Sequence, residues 1–101
     1  MVTISVEKKP GDLLLKVSGH LDGSSAWRIL RLAQRLARGG AYTIDLGGLE
    51  RMHTFGASVL AQGLPRAQAR LENVRAEHRR ILIAEGALSE EESEEESELA
   101  I

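Results

Sequence analysis

The sequence predicts a single α/β domain, in which a mixed sheet of four or five strands is covered mainly on one face by helices. Residues 2–6 alternate polar and apolar residues with a period of two, and short apolar segments at residues 13–17 and 41–46 are typical of further strands. The segments between them repeat apolar residues at helical spacing. At 101 residues the chain has the size of one small domain. Only one Trp, one Tyr and one Phe are present, so Leu, Ile, Val and Ala must build the core.

The chain opens with a predicted β-hairpin. Residues 2–6 alternate with period two, and residues 13–17 form a second strand. Between them Pro10 presets one backbone angle and Gly11 tolerates a positive one, which is typical of a turn. We therefore expect these two strands to pair antiparallel.

A helix and a third strand follow. Ser24-Ser25 offers a helix cap, and Gly39-Gly40 offers a left-handed end. Between them the apolar positions lie opposite the arginines, and Trp27 is expected in the core or at its rim. Residues 41–46 form the third strand, after which Gly47-Gly48 is expected to loop out. The second strand, this helix and the third strand predict a right-handed βαβ unit with parallel strands.

A second helix is expected to start near Thr54 and to end around Gly63 and Pro65. Residues 66–88 have two interpretations. One is a short strand around residues 70–72 followed by a helix from about residue 76 to residue 88. The other is one long helix, because nothing between Arg66 and Glu85 is Gly or Pro and apolar residues recur at heptad spacing. Residues 1–88 are the predicted domain, and residues 89–101 are a Ser/Glu-rich tail that we expect to be disordered.

Charge and composition exclude several function classes. The net charge is −2, but seven glutamates lie in the last dozen residues, so the preceding chain carries thirteen Lys and Arg against eight acids, about +5. No aromatic residues interleave with the basic ones, and we expect no nucleic-acid partner. There is no cysteine, and His20, His53 and His78 lack metal-ligand spacing, so we expect no metal and no cofactor. No apolar run approaches the ~20 residues of a membrane span and no signal peptide is visible, so we expect a cytoplasmic protein without direct membrane insertion.

The most informative segment is an expected strand ending in Asp45, a Gly-rich turn, and then Thr54 where a helix begins. A helix N-terminus carries unpaired N–H groups and a partial positive charge. Thr54 is therefore either a plain N-cap or a hydroxyl suited to holding a phosphate. His53 beside it is expected to be a surface residue. Phe55 has two interpretations, an exposed anchor for a partner or a side chain packed under the neighbouring loop.

The order of elements and three marker segments resemble the STAS domain, the fold of bacterial anti-sigma factor antagonists. The resemblance covers residues 13–88 and favours the short strand over the long helix, because the segment from Asn73 to Leu82 looks like the family's last passage from strand to helix. The markers are Gly19-His20-Leu21-Asp22-Gly23, Ile44-Asp45-Leu46 and Met52-His53-Thr54-Phe55-Gly56.

The resemblance implies a non-catalytic regulatory module that docks a protein partner, an anti-sigma or kinase-like factor, around the second helix's N-terminus. Carried over, Thr54 occupies the phosphoacceptor position, Asp22 and Asp45 occupy acidic loop positions beside it, and Ser58 belongs to the same docking set. Two residues depart from the family's Asp-Ser-x-Gly signature: His53 replaces its Asp, and the bulky Phe55 replaces its small residue.

A second branch of the family fits these departures somewhat better. STAS subunits or domains of phospholipid ABC transporters often carry Thr at the signature position, and their partners are the transporter permease and its ATPase. The two branches stay open at this point, as does a homodimer. A third interpretation is an enzyme that uses Asp45 and His53 as an acid/base pair. Nothing in the sequence around these residues indicates a pocket.

Overall fold

The structure is a computed structural model, and it describes residues 2–65 and 68–88. The predicted tail, residues 89–101, lies outside the described residues. In chain order the elements are β1 (Val2–Lys9), β2 (Asp12–Leu21), α1 (Gly23–Ala37), β3 (Tyr42–Met52), α2 (Thr54–Gly63), β4 (Ala69–Glu72) and α3 (Ala76–Ala84).

The described strands form one four-stranded sheet in the order β1-β2-β3-β4. β1 pairs antiparallel with β2, and the β2–β3 and β3–β4 pairs are parallel. Lys9 pairs with Asp12, so Pro10 and Gly11 alone make the turn, and Gly11 has the positive φ of 76° that the turn needs. The predicted hairpin and mixed sheet are confirmed.

One face of the sheet carries the core. In β2, Leu13, Leu15 and Val17 are buried while Lys16 between them is exposed, because successive side chains of a strand point to opposite faces. α1 buries Ile29 among its apolar residues, and the helices lie on this face, as predicted. The other face is polar and exposed, with Thr3, Ser5 and Ser18 on it. Among the described helices none is long and apolar enough to cross a membrane.

The predicted loop at Gly47-Gly48 is wrong, because β3 runs through both glycines to Met52. The register between β2 and β3 shifts between Lys16 and Ser18, and a Cβ on Gly48 would lie only 3.1 Å from the Cβ of Ser18. Glycine permits this close approach of two strands at an irregularity in their pairing. The strand therefore does not end at Asp45.

The predicted ends of the first helix need a correction. The N-cap is Asp22 rather than Ser24-Ser25, and Ser25 is instead the third residue of a capping box. At the other end Arg38, with φ of 50°, already takes the left-handed conformation, and Gly39 follows with φ of 84°. The predicted left-handed end of the helix is therefore confirmed, but it begins at Arg38, one residue before Gly39.

The region after α2 contains the short strand, and the long-helix interpretation is wrong. β4 pairs with Tyr42–Asp45 of β3 in parallel register. Asn73, with φ of 55°, then turns the chain in the left-handed conformation that Asn tolerates, and α3 begins three residues later. Pairing with an open strand edge outweighs the helix propensity of this segment, as tertiary context often does.

Candidate partner-binding surface

The ends of β2 and β3 bring the two longest helices to the same edge of the sheet. Leu21 lies opposite Met52, and the His53 N–H donates to the Leu21 carbonyl oxygen at 2.9 Å. Because the two strands are parallel, the chains that leave them, into α1 and into α2, start side by side. Asp22 and Gly23 on one chain therefore lie next to the residues that open α2.

Thr54 is the first residue of α2 and is exposed. The N-cap is His53, which is extended (φ −80°, ψ 144°) and exposed, and its side chain makes no capping hydrogen bond. The interpretation of Thr54 as N-cap is therefore wrong by one position. A helix start with no side-chain cap leaves its first N–H groups to solvent or to an incoming acceptor.

Phe55 is 69% exposed, although aromatic side chains are usually buried. One edge of its ring rests on Gly23, where any Cβ would overlap the ring. The ring therefore contacts the start of α1 while most of its surface faces outward, and its role as an anchor for a partner stays a prediction. Its position over Gly23 also explains why that residue carries no side chain.

Gly56 lets α2 approach the backbone that leads into α1. A Cβ at this position would lie 3.0 Å from the carbonyl oxygen of Asp22 and 3.1 Å from that of Leu21. The first turn of α2 therefore packs directly on the main chain after β2. This contact holds Thr54 and Phe55 in place relative to α1.

The carboxylate of Asp22 is occupied by its own helix. Its Oδ1 accepts the Ser25 N–H and the Ser25 hydroxyl, both at 2.8 Å, and the Ser24 hydroxyl at 3.1 Å. The Ser25 backbone N–H, followed by the Ser25 hydroxyl, lowers the pKa of Asp22 to about 2. Asp22 lies beside α2 as expected, but as the cap of α1.

Asp45 lies far from this surface, so its predicted place on a loop tip beside Thr54 is wrong. Met52 is the seventh residue after Asp45 in β3, roughly 20 Å further along the strand. Its Oδ1 accepts the Gly47 N–H and its Oδ2 accepts the Asn73 Nδ2–H, both at 2.8 Å. The sequence did not predict that β3 continues past Asp45, because Gly47 and Gly48 follow it and two consecutive glycines are typical of a loop.

Trp27 joins the surface, and the sequence analysis missed it. Of the two positions expected for Trp27, the core is wrong, since the residue is 51% exposed, and the rim remains. Trp27 lies four residues after Gly23, on the same side of α1, and Phe55 rests on Gly23. Ser58, four residues after Thr54, is partly buried in the second turn of α2. The sequence indicated this position of Trp27 only by its spacing, four residues after Gly23 at the start of the helix. We call Thr54, Phe55, His53 and Trp27, with Asp22 and Ser58 beside them, the α2 N-terminal surface.

The arrangement provides exposed aromatic and hydroxyl groups at a helix start rather than a set of metal ligands. Over residues 2–65 and 68–88, no group of three His, Cys, Asp or Glu side chains is placed to hold a metal ion. The groups that meet here can contact a protein surface.

Comparison with known proteins assigns the fold. A family described as "Mlab, STAS domain" matches residues 4–87. The crystal structure of an anti-sigma factor antagonist from Mycobacterium paratuberculosis matches with a TM-score of 0.62 and 23% identity, over 83% of this chain and 78% of that one. The crystal structure of Mglu matches with a TM-score of 0.62 and 20% identity over 71% of this chain, which spans only 20% of the Mglu chain.

At these identities the similarity to the two solved structures shows a shared fold. No curated protein matches the chain. The family match extends from the middle of β1 to beyond α3 and thus takes in every described element. The predicted STAS resemblance is confirmed, and the chain belongs to the Mlab, STAS domain family.

Proposed function

We propose that this protein is a non-catalytic regulatory module that binds a partner protein through the α2 N-terminal surface. The observation that carries the proposal is the exposure of Phe55, 69%, at the point where α1 and α2 begin. Exposed aromatic residues at the centre of a patch are typical of binding hot spots. Trp27, 51% exposed, extends the patch along α1. A chain without cysteine fits a reducing compartment, and we place this complex in the cytoplasm.

The leading form of this function is an anti-sigma-factor-antagonist-like switch at Thr54. The Thr54 hydroxyl is exposed at a helix start that has no side-chain cap. A phosphate there would add about −1.5 to −2 charges and would meet the positive end of the helix dipole, so it should leave α2 intact. It would act instead by repelling an acidic partner surface or by obstructing contact with Phe55. Asp45, far away in β3, takes no part in this form of the proposal.

A second form is an accessory subunit or domain of a lipid ABC transporter. The description of the matched family, Mlab, favours it, as do His53 and Phe55 in place of the residues of the phosphorylation signature. In this form the same surface binds the transporter permease or its ATPase, and Thr54 makes a direct contact without being phosphorylated. A homodimer stays a prediction in both forms.

Partner capture with matched variants tests the proposal. Four proteins are incubated with ATP and a lysate of the source organism: wild type, Thr54→Ala, Thr54→Asp and Phe55→Ala. Mass spectrometry identifies the partners and the phosphorylation sites. Affinities are then measured with the purified partner. Thr3→Asp is the matched control, because Thr3 is exposed on the uncovered face of the sheet. We expect Phe55→Ala to weaken binding by about 2 kcal/mol, a roughly 30-fold increase in Kd, and Thr3→Asp to leave it unchanged.

The outcomes separate the two forms. A soluble kinase-like partner that phosphorylates Thr54 and is lost in Thr54→Asp supports the switch. A permease and its ATPase, bound without phosphate, support the transporter form. If all variants bind every partner as tightly as wild type does, the α2 N-terminal surface is not the docking site and the proposal fails.

A further inference from the structure

The outward face of α1 carries a row of four arginines. Arg28, Arg31, Arg35 and Arg38 are all exposed, and their spacing of three, four and three residues places them on one side of the helix. We call them the α1 arginine ridge. The row is about 15 Å long at 1.5 Å per residue. No acidic residue occurs anywhere between Gly23 and Arg38.

The ridge has no acidic partner within residues 2–65 and 68–88. The ion pairs of this part of the chain are Lys16–Glu7, His20–Glu50 and Arg75–Glu77, and none of them involves α1. Like charges three and four residues apart on a helix repel each other, so the row is destabilising as long as nothing neutralises it. An anionic ligand would relieve this repulsion.

A groove lies beside the α1 arginine ridge and could hold a bound segment against it. Between α1 and the edge strand β1 lies a cavity of about 420 Å³, lined by Ile4 and Leu32 and by three of the arginines, Arg28, Arg31 and Arg35. Arginine stems can lie along such an apolar floor while their guanidinium groups stay in water. Guanidinium groups bind carboxylates through paired hydrogen bonds. The groove and ridge together therefore suit an extended acidic polypeptide.

We propose that the α1 arginine ridge binds an acidic polypeptide segment, and that residues 90–98 of this chain supply it. Seven of the thirteen residues after Leu88 are Glu, and none is Lys or Arg. The seven glutamates outnumber the four arginines, so the segment carries more negative charge than the ridge carries positive charge. This inference does not rest on the proposed function.

Chain length permits the contact. Glu98 is the tenth residue after Leu88, and ten residues span up to about 35 Å when extended. The longest dimension of the described body is 35 Å. A segment tethered to the same chain also has a high effective concentration at the ridge. Nucleic acid is a weaker candidate occupant, because no aromatic residue interleaves with the arginines between Arg28 and Arg38, and the exposed Trp27 lies at one end of the row.

Paramagnetic relaxation in the full chain tests the proposal. The chain has no cysteine, so Ser93→Cys creates a single site for a nitroxide label within the acidic segment and keeps all seven glutamates. At about 0.01 M ionic strength, where charges act over ~30 Å, we expect the label to broaden the amide signals of α1 from Trp27 to Arg38. At about 1 M salt, where the screening length is ~3 Å, we expect those signals to recover.

Two charge variants supply the matched comparison. Arg28→Gln/Arg31→Gln/Arg35→Gln removes three charges from the ridge, and Arg51→Gln/Arg70→Gln/Arg80→Gln removes three exposed arginines elsewhere. We expect the first variant to abolish the broadening on α1 and the second to preserve it. Gln is a good helix former, and circular dichroism of both variants checks that the fold is retained.

The other outcomes overturn the proposal. Broadening confined to the residues around Leu88, or equal in both charge variants, would show that the segment does not bind the ridge. A mixed sample combines spin-labelled chains with isotope-labelled chains that carry no nitroxide. Broadening of the amide signals of the isotope-labelled chains would show that a second copy of the chain occupies the ridge. The wild-type chain and a variant with all seven glutamates changed to Gln are also tested for binding to anionic phosphatidylserine vesicles. Equal binding of the two would show that the ridge is open to a membrane surface.

Discussion

At the scale of single residues, Asp22 illustrates how a residue beside a binding surface can serve the fold. A carboxylate beside Thr54, the proposed phosphoacceptor, invites an electrostatic role. The structure shows instead that Asp22 Oδ1 accepts three hydrogen bonds from the first turn of α1. A group that is already hydrogen-bonded in this way positions its neighbours more than it attracts or repels a partner. Its protonation therefore affects the stability of the fold.

Asp22 is expected to make stability fall in acid. Its folded pKa, about 2, lies below the ordinary aspartate pKa of 3.8, so the unfolded chain takes up the proton first as the pH falls. The stabilisation is complete above about pH 4 and is lost as the pH falls towards about 2. Chemical denaturation of wild type and Asp22→Asn across this range measures the effect. Asn caps a helix nearly as well but does not titrate, so its loss of stability should be smaller; equal losses would contradict the assignment.

At the scale of elements, the site depends on how closely α2 approaches the connection from β2 to α1. Gly56 and Gly23 make that approach possible, Gly56 by bringing backbone against backbone and Gly23 by accepting the ring of Phe55. Glycines at these two positions are therefore explained by packing between elements, because neither has a positive φ. The orientation of Thr54 follows from the same contact.

Gly56→Ala is expected to destabilise the fold and to displace the start of α2. The new Cβ would lie 3.0 Å from the Asp22 carbonyl oxygen, which belongs to backbone and cannot turn aside. Overpacking of this kind costs about 1–3 kcal/mol, well beyond the gain in helix propensity. Urea unfolding measures the loss. Gln62→Ala, at an exposed position of the same helix, is the control and should change stability by less than about 0.5 kcal/mol. A Gly56→Ala variant as stable as the control would refute the packing argument.

At the scale of the whole molecule, stability is concentrated in the two central strands. β2 and β3 each have a neighbour on both sides and run for 10 and 11 residues, whereas β4 has 4 residues and lies at an edge. Leu15 and Ile44, paired with each other across the two strands, are fully buried. The helices close one face over this pair of strands, and the α2 N-terminal surface lies at the end of both.

Native-state hydrogen exchange should therefore be slowest in β2 and β3. Amides that exchange only on global opening belong to the best-packed strands, while edge strands open at lower free energy. We expect the amides of Leu15 and Ile44 to be the most protected and those of β4 to exchange earlier. NMR-detected exchange under native conditions makes the comparison residue by residue. Protection of β4 equal to that of the central strands would show that the sheet opens as one unit.

Local patterns in the sequence determined the kinds of elements and their order. Period-two alternation predicted β1, helical spacing predicted α1, and Pro65 predicted the end of α2 near Gly63. The turn at Pro10 and Gly11, followed by an apolar segment, predicted β2. The marker residues around Asp22 and Thr54 predicted the family and the place of the candidate site. These features are short-range, because they depend on neighbours within a turn or two of chain.

Only the tertiary structure decided which of those residues meet. Asp45 lies in mid-strand far from Thr54 because β2 pairs with β3 beyond Gly48, and that pairing joins residues distant in sequence. β4 exists because the edge of β3 was open to it, against the helix propensity of its own residues. Phe55 lies over the start of α1 because the two helices begin side by side, an arrangement set by the pairing of Leu21 with Met52. Contacts between distant segments leave no periodic trace in the chain, so no local pattern could have predicted them.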